Sequence, residues 1–186
     1  MGGTAGPLDA PDSSLQIARA GASARCLECV TSMLLSQFID FESIKPALPA
    51  TNKRGLLQML AQAAGQRLGI DPAEIAAAVA ERERLGSTGF GNGVAIPHGK
   101  IDQIGRVYCM VARLSDPIDY KAIDGAPVDL VFYMLSPSDA GAEHLKALAA
   151  VSRVVRHAPT LEKLRGARSR DALAAVLMGV DEPHAA

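Results

Sequence analysis

One segment, residues 87–100, constrains this chain more than any other part of the sequence. It reads STGFGNGVAIPHGK, with three glycines at alternating positions and a histidine directly after a proline. Glycine adopts positive φ and lets a ligand approach the backbone closely, so the segment predicts a loop that presents N–H groups to an anion. Pro97 restricts the chain before His98, and Gly99 leaves room after it. We therefore expect the imidazole to be held on a stiff, exposed turn.

A histidine presented in this way can act as a nucleophile. The unperturbed pKa of histidine is about 6.5, so the ring of His98 would be largely neutral near neutral pH, and one nitrogen could attack phosphorus. A lone histidine in a glycine-rich loop is more often a plain turn residue, so the surrounding motif must decide between the two interpretations. The segment has neither G-x-G-x-x-G nor G-x-x-x-x-G-K-[ST] spacing, which argues against an ATP or NAD site.

Charge and hydropathy argue against several classes of function. The 186 residues include 19 basic and 20 acidic side chains, a formal net charge of −1, so no overall field would hold nucleic acid or an anionic membrane. No apolar run approaches the ~18 to 20 residues that span a bilayer, and the N-terminus lacks the order of a signal peptide. We expect a soluble, cytoplasmic protein that neither inserts into membranes nor binds nucleic acid.

The three cysteines are an odd and sparse set, which favours a reducing compartment. Cys26 and Cys29 form a C-x-x-C pair, but no second pair accompanies them, so we assign them no redox or zinc role. Cys109 lies inside an apolar run and is predicted to be a small core residue.

Three segments are predicted along the chain. Residues 1–32 are rich in small and polar side chains without hydrophobic periodicity, and we interpret them as a disordered N-terminal extension. Met33 opens the first apolar pattern, and our hypothesis is that it is the natural start codon. Residues 33–180 are predicted to form one domain, and residues 181–186 a C-terminal tail.

Hydrophobic periodicity predicts several helices around a few central strands. Residues 107–114 and 128–135 have the length and composition of buried strands, and Asp124 with Gly125 marks a turn between them. The predicted helices run from a Thr51 cap to about Leu68, from an Asp71 cap with Pro72 at the first position to about Leu85, from about Gly141 to His157 before Pro159, and from caps at Thr160 and Ser169. Their buried stripes are expected to contain Leu56, Leu57, Leu60, Ala64 and Leu68, then Leu145, Leu148, Ala149, Ser152 and Val155, and finally Leu173, Val176 and Leu177. The predicted fold is α/β, with a central mixed β-sheet flanked by helices.

A family resemblance is carried by the same part of the chain. Glu83, then Phe90 and Gly91, then VAIPHG at 94–99 resemble the signature of the fructose/mannitol-type enzyme IIA domains of the bacterial phosphotransferase system. Further matches are RERLGSTG at 82–89, IDGAPVD at 123–129 and EHL at 143–145. The resemblance covers about residues 33–180. It is most similar to the nitrogen-regulatory IIA branch, chiefly through LGST at 85–88 and IPHGK at 96–100.

The resemblance implies the fold above and a phosphohistidine on His98, formed by an HPr-like carrier that is charged from phosphoenolpyruvate through an enzyme I homologue. No metal and no other cofactor is implied. Arg82 and His144 match the family's active-site arginine and second histidine, although a solvated helix charge and a first-turn surface residue remain the alternatives for them. The residues expected to bind the phosphate are Ser87, Thr88, Asn92 and Gly93.

The leading functional hypothesis is a regulatory phosphocarrier whose partners respond to the roughly two negative charges gained on phosphorylation. For the nitrogen branch, the resemblance implies sensor kinases, potassium-transport proteins and metabolic enzymes as such partners. The first alternative is the IIA component of a fructose/mannitol-type sugar-uptake system, with a separate IIB domain and permease. The others are a hydrolase that uses His98 as general base with Asp124 or Asp129 as orienter, and a non-catalytic relative that only holds an anion.

Overall fold

The computed structural model describes residues 1–3 and 34–180. Residues 4–33 and 181–186 lie outside the described residues. They include most of the predicted N-terminal extension, the proposed start codon, the C-x-x-C pair and the predicted C-terminal tail, so those expectations stay predictions. In the ranges that the structure describes, no helix is long and apolar enough to cross a membrane.

A mixed sheet of six strands forms the centre of the fold. The strands are β1 (Lys45–Leu48), β2 (Gly89–Gly91), β3 (Val94–Ala95), β4 (His98–Lys100), β5 (Tyr108–Ile118) and β6 (Val128–Ser136). Their spatial order is β1-β5-β6-β3-β2, and β4 also pairs with β6. β5 and β6 are antiparallel, whereas β1 is parallel to β5, and both β3 and β4 are parallel to β6. The predicted mixed sheet is confirmed, and β5 and β6 are the two predicted strands.

The central strands are buried on both faces, which accounts for their nearly continuous apolar sequence. Successive side chains of a strand point to opposite faces, so β6 contributes to two cores. One core contains Leu130, Phe132 and Met134, and the other contains Val131, Tyr133 and Leu135. Cys109 is fully buried in the first core, which confirms its prediction as a core residue, and burial raises the pKa of its thiol to about 12.

Five helices cover the two faces of the sheet in the described part of the chain. They are α1 (Lys53–Leu68), α2 (Pro72–Arg84), α3 (Gly141–Arg156), α4 (Ala158–Gly166) and α5 (Arg170–Gly179). α1 and α2 pack on one core and α3, α4 and α5 on the other. Helices on both faces explain why the sheet shows no alternation between apolar and polar residues.

The helix starts on the α1 and α2 face follow local capping rules. α2 begins as predicted, since the side chain of Asp71 accepts a hydrogen bond from the first turn and Pro72 occupies the first helical position. The predicted cap of α1 at Thr51 is wrong by one residue. Asn52 is the cap, because its side chain accepts a hydrogen bond from the N–H of Gly55 at 2.8 Å.

The buried stripe of α3 differs from the prediction. Leu145 is 66% exposed and Ala149 is also exposed, so both assignments are wrong. The residues of α3 that are buried are Ala147, Ala150, Val151, Val154 and Val155. Of the predicted stripe, Val155 is buried and Leu148 and Ser152 are partly buried, so the buried face lies beside the predicted one on the helix surface.

For the last two helices, one predicted N-terminal cap is confirmed and the other is wrong. Ser169 caps α5, since its hydroxyl accepts from the N–H of Ala172 at 3.1 Å. Thr160 is not a cap, because α4 already begins at Ala158 and Thr160 lies within its first turn. Pro159 therefore belongs to the start of α4, where its missing N–H costs nothing, and does not itself end α3.

Strand pairing along one side of β6 positions His98. β3 pairs Val94 with Leu130, and β4 pairs His98 with Met134 in the same parallel direction. Between them lies Pro97, which has no N–H to donate, although its carbonyl accepts from the N–H of Met134 at 2.9 Å. His98 is thus the first residue of a short strand, and this strand pairs with the buried strand β6.

Gly99 permits the close approach of α2 to this strand. A Cβ at Gly99 would lie 3.0 Å from Cγ2 of Val79 and 3.1 Å from its backbone nitrogen, tighter than ordinary packing allows. The absence of a side chain therefore lets α2 lie directly against β4. As a result, the C-terminal end of α2 comes beside His98.

We expect Gly93→Ala to lower the free energy of unfolding by about 2–4 kcal/mol, and the matched variant Gly125→Ala by only about 1–2 kcal/mol. Both glycines have positive φ, 75° and 70°, so both substitutions impose a left-handed conformation on alanine. Only at Gly93 would the new Cβ also meet side chains, at 2.5 Å from Nη2 of Arg165 and 2.9 Å from Oδ1 of Asp129. Urea unfolding followed by circular dichroism measures the difference, and equal losses would contradict this account.

Candidate functional site

Both nitrogens of the His98 ring have a hydrogen-bond partner. Nδ1 lies 2.8 Å from the carbonyl oxygen of Ile96, and Nε2 lies 3.0 Å from Nε of Arg82. A carbonyl can only accept and a guanidinium can only donate, so Nδ1 carries the proton and Nε2 offers its lone pair. The two contacts select one neutral tautomer, with its nucleophilic nitrogen facing the guanidinium.

The surroundings of His98 favour this neutral form. Burial lowers the pKa of the imidazole below its usual value, and the charge of Arg82 acts in the same direction, whereas the hydrogen bond to Ile96 and the charge of Glu83 oppose them. The expectation of an exposed turn is wrong: His98 is half-buried at the start of β4, because pairing with β6 fixes this part of the chain.

Arg82 lies in the last turn of α2, which the close packing on Gly99 brings beside the ring. Besides the contact with His98, its Nη1 donates to the carbonyl of Gly86 at 3.1 Å. The side chain is therefore held at both ends of its guanidinium. A solvated helix charge, the alternative interpretation of Arg82, does not describe this geometry.

His144 lies in the first turn of α3, and its ring stands next to that of His98. The ring centroids are 5.4 Å apart, with the planes inclined by 49°. Nδ1 of His144 lies 2.8 Å from the hydroxyl of Ser136, which is fully buried at the end of β6. Burial lowers the pKa of His144, and it is lowered further by the charge that His98 carries when protonated and by the charges of Lys100 and Arg82. The structure thus brings the two predicted histidines together.

Two cavities meet at His98 and Arg82. The larger, about 680 Å³, is lined by Arg82, Ser87, Thr88, Gly89, Phe90, Ile96, His98, Lys121, Ile123, Leu148 and Ser152. The smaller, about 350 Å³, is lined by Ala78, Glu81, Arg82, Leu85, His98, Gly99, Lys100 and His144. Of the predicted phosphate-binding residues, Ser87 and Thr88 therefore share a cavity with His98.

A buried carboxylate, Glu83, lies behind this cavity wall. It accepts hydrogen bonds from the backbone N–H of Thr88 at 2.9 Å and from the Thr88 hydroxyl at 2.5 Å, and it forms an ion pair with Lys53. Burial alone would raise the pKa of Glu83, but the hydrogen bonds from Lys53 and Thr88 outweigh it and hold the pKa below its usual value. The hydroxyl of Thr88 is therefore engaged by Glu83 and turned away from a phosphate role.

Asn92 and Gly93 are not among the residues that line either cavity. They form the tip of the β2–β3 hairpin, where the N–H of Asn92 donates to Asp124 at 2.8 Å and its carbonyl accepts from Arg165 at 2.5 Å. The carbonyl of Gly93 accepts from the N–H of Asp129 at 2.9 Å. The glycine-rich segment thus builds a hairpin with these backbone groups, and the phosphate role of Asn92 and Gly93 stays a prediction.

The contacts of His98 also bear on the other chemistries considered. The hydrolase hypothesis places Asp124 or Asp129 on the ring of His98, but Asp124 is engaged by the N–H groups of Asn92 and Ala126, and Asp129 by Arg165. Neither aspartate contacts His98, whose Nδ1 meets a neutral carbonyl. Within residues 1–3 and 34–180, no group of three or more His, Cys, Asp or Glu side chains is arranged to hold a metal ion.

The lowered pKa values of the two histidines predict a pH dependence of stability. Between these pKa values and the unfolded value of about 6.5, the unfolded chain binds more protons than the folded one, so the free energy of unfolding rises with pH. This contribution is fully present above about pH 6.5 and is lost as the pH falls through the folded pKa values. We expect a variant with both His98→Gln and His144→Gln to show a flatter profile between about pH 5 and pH 7 in urea unfolding. An unchanged slope would contradict the assignment.

Comparisons with known proteins identify one family. The model of the family "Phosphoenolpyruvate-dependent sugar phosphotransferase system, EIIA 2" matches residues 37–179. The nitrogen regulatory protein of Bradyrhizobium diazoefficiens is 42% identical over 145 residues, which are 78% of this chain and 95% of that protein. The PTS system fructose-specific EIIA component of Haloferax volcanii is 34% identical over 149 residues, 80% of this chain and 97% of that protein.

A similar solved structure is the crystal structure of nitrogen regulatory protein IIA-Ntr from Neisseria meningitidis. It superposes with a TM-score of 0.72 at 28% identity and covers 77% of this chain and 98% of that one. The range matched by the family model, residues 37–179, includes Arg82, His98 and His144.

Proposed function

The chain belongs to the EIIA 2 family of the phosphoenolpyruvate-dependent sugar phosphotransferase system, in the branch of the nitrogen regulatory IIA proteins, and from this we propose that it is a phosphocarrier acting through His98. It accepts a phosphoryl group from an HPr-like carrier and regulates partner proteins by its phosphorylation state. The observation that carries the proposal is the contact of 3.0 Å between the lone pair of His98 Nε2 and the Arg82 guanidinium. The corresponding domain is residues 33–180, and its compartment is the cytoplasm.

The transfer step follows from the tautomer of His98. The Nε2 lone pair attacks the phosphorus of the donor's phosphohistidine, the new N–P bond forms, and the donor's N–P bond breaks. The donor nitrogen keeps the bonding electron pair, so no proton has to move. The His98 ring gains positive charge in this step, and the carbonyl of Ile96 stabilises it through the Nδ1–H bond of 2.8 Å.

Arg82, His144 and Ser87 surround the position that the phosphoryl group would take. Arg82 donates a hydrogen bond to Nε2 in the unphosphorylated protein. As the N–P bond forms, the N–H groups of its guanidinium can donate to the phosphoryl oxygens instead. Nδ1 of His144 lies 2.8 Å from the Ser136 hydroxyl. In the tautomer in which this hydroxyl donates, the proton of the His144 ring is on Nε2 and serves as a second donor. Ser87 lines the larger cavity together with His98 and Arg82 and adds a hydroxyl. Positioning and charge neutralisation are the main requirements of such a transfer.

Exposed apolar side chains around the site form the docking surface for the donor. Leu85 and Ile123 are 81% and 86% exposed and line the two cavities that meet at His98, and Leu145 is 66% exposed one position after His144. Transfer between two histidines needs their rings in near contact, so the donor must cover this rim. An HPr-like carrier with an apolar face around its own histidine fits the surface.

The regulatory output arises from the charge that phosphorylation adds. About two negative charges at a half-buried histidine change the binding of any partner that covers the same surface. Sensor kinases and potassium-transport proteins are the classes of target that we propose, because the family resemblance of the sequence implies them. Interaction capture with the phosphorylated and unphosphorylated protein, followed by identification of the proteins that prefer one form, tests this part.

The direct test is phosphorylation in vitro. The protein is incubated with phosphoenolpyruvate, an enzyme I and an HPr-type carrier, and intact mass is measured before and after brief acid treatment. We expect one added phosphoryl group that acid removes, because the N–P bond of phosphohistidine is labile. The absence of any adduct with several competent carriers would overturn the proposal.

A second candidate function is the IIA role in a sugar-uptake system. The fructose-specific EIIA component of Haloferax volcanii, at 34% identity over 80% of this chain, supports it. The chemistry at His98 would be the same, but the phosphoryl group would pass to a IIB domain. Rapid loss of the adduct to fructose- or mannitol-type IIB domains would favour sugar uptake over regulation.

A further inference from the structure

Glu83 is a buried charge that the proposed transfer does not use directly. Its side chain is 9% exposed, and its partners are Lys53 and Thr88. The hydroxyl of Tyr120 lies 3.4 Å from the carboxylate and 3.0 Å from the hydroxyl of Thr88. Burying a carboxylate is costly unless it is paired and hydrogen-bonded, and all of these partners serve that purpose. Two chains of hydrogen bonds lead from this carboxylate to the ring of His98.

The first chain ends at Nδ1. Glu83 binds the N–H and the hydroxyl of Thr88, and the carbonyl of Thr88 accepts from the N–H of Ile96 at 2.9 Å. The carbonyl of Ile96 in turn accepts the Nδ1 proton of His98 at 2.8 Å. The position of Thr88 therefore determines the direction of the carbonyl that selects the tautomer.

The second chain ends at Nε2. The bonds between Glu83 and Thr88 close the segment 83–88 into a loop, and the N–H of Gly86 donates to the backbone carbonyl of Glu83 at 3.2 Å. The carbonyl of Gly86 accepts from Nη1 of Arg82, whose Nε donates to the ring. If the loop opens, Arg82 loses the contact that orients its guanidinium.

We propose that Glu83 is a positioning residue that fixes both nitrogens of His98 through Thr88, with Lys53 as its counter-ion. Lys53 comes from the start of α1, also lies 3.3 Å from the hydroxyl of Ser87, and stands 4.3 Å from the centroid of the Tyr120 ring. The ion pair thus joins α1, the end of α2 and the cavity wall. This inference rests on the proposed function of His98 as the phosphoryl acceptor.

The test compares Glu83→Gln with Glu74→Gln. The first keeps the size of the side chain but removes its charge, and the second changes an exposed glutamate of the same helix, bonded only to Gln103 in the described ranges. We expect Glu83→Gln to lower the maximal rate of phosphoryl transfer about ten-fold, with the half-saturating donor concentration changed less than about two-fold. Glu74→Gln is expected to match the wild type. Thr88→Val, which keeps the backbone bond and loses the hydroxyl, should fall between them.

A second readout reports on the ring itself and does not need the donor. Nitrogen-15 NMR of labelled histidine is expected to show the Nδ1–H tautomer of His98 in the wild type and a mixture of tautomers in Glu83→Gln. A merely structural role for Glu83 would lower the unfolding midpoint without changing the tautomer. If Glu83→Gln does not fold, Thr88→Val supplies the same two measurements.

The outcomes separate this inference from the proposed function. A wild-type protein that is phosphorylated, with Glu83→Gln and Thr88→Val equally fast, would overturn the role of Glu83 and leave the phosphocarrier intact. Slower transfer with the tautomer unchanged would also overturn it. A wild type that accepts no phosphoryl group would refute the proposed function, while the NMR comparison would still decide whether Glu83 fixes the ring.

Discussion

His98→Ala is expected to lose phosphoryl acceptance completely, at least about 1,000-fold below the wild type. In the proposed site His98 is the only nucleophile: the neighbouring His144 has its Nδ1 occupied by Ser136, and Arg82 cannot be deprotonated. Removing the ring removes the atom that forms the N–P bond, so no rearrangement of the remaining side chains can replace it. Intact mass after incubation with the phosphorylated donor measures the result.

A variant that keeps the shape of the site serves as the control for this loss. His98→Gln retains a polar group near the carbonyl of Ile96 but offers no nucleophilic ring nitrogen, and it should be as inactive as His98→Ala. Both variants are expected to bind the donor, since the exposed rim of Leu85 and Ile123 is unchanged. An acid-labile adduct in either variant would show that another histidine accepts the group.

The parts of the fold that the sequence predicted depend on near neighbours in the chain. Asp71 and Pro72 predict a helix start, because a capping side chain hydrogen-bonds to a backbone N–H only two or three residues later. The long apolar runs that became β5 and β6 are visible because a strand buried on both faces must be apolar throughout. The α3 stripe was placed correctly at Val155 but not at Leu145 and Ala149, because apolar residues lie on several faces of this helix and only the packed partner decides which face is buried.

The candidate site was predicted at His98, Arg82 and His144 but not in its supporting contacts. Lys53 and Tyr120 both contact Glu83, although they lie about thirty residues before it and 37 residues after it in the sequence. No local sequence pattern predicts contacts at such separations. A buried serine such as Ser136 at the end of an apolar strand gives a weak signal, since its partner comes from another element. Only the sheet register brings these groups together.

The glycine-rich segment shows how one pattern can serve two purposes. Alternating glycines are expected in an anion-binding loop, but here Gly93 makes room for Arg165 and Asp129 at a hairpin tip. The sequence cannot distinguish a glycine that admits a ligand from one that admits a neighbouring side chain. At the same hairpin tip the backbone of Asn92 is engaged by Asp124 and Arg165.

Arg82→Met is expected to lower the rate of phosphoryl transfer roughly 10- to 100-fold, the equivalent of losing a charge-assisted hydrogen bond of about 1.5–3 kcal/mol. Methionine preserves much of the length and apolar packing of arginine but removes every donor. Arg82→Lys should recover part of the rate, because an ammonium keeps the charge and loses the fork. The matched control is Arg84→Met, an exposed arginine of the same helix turn, which is expected to stay within about two-fold of the wild type.

The pKa of His98 gives the Arg82 prediction a second, independent readout. The positive charge of Arg82 lowers the pKa of His98, so the methionine variant should show a higher pKa, closer to the usual value, by NMR titration. A larger fraction of the ring is then protonated at neutral pH and cannot attack phosphorus, which adds to the loss of the hydrogen bond. The ring is partly buried in both proteins, so the difference between their His98 pKa values reports the effect of the Arg82 guanidinium. A slower variant whose His98 pKa is unchanged would mean that Arg82 acts on the phosphoryl group alone and has no contact with the resting ring.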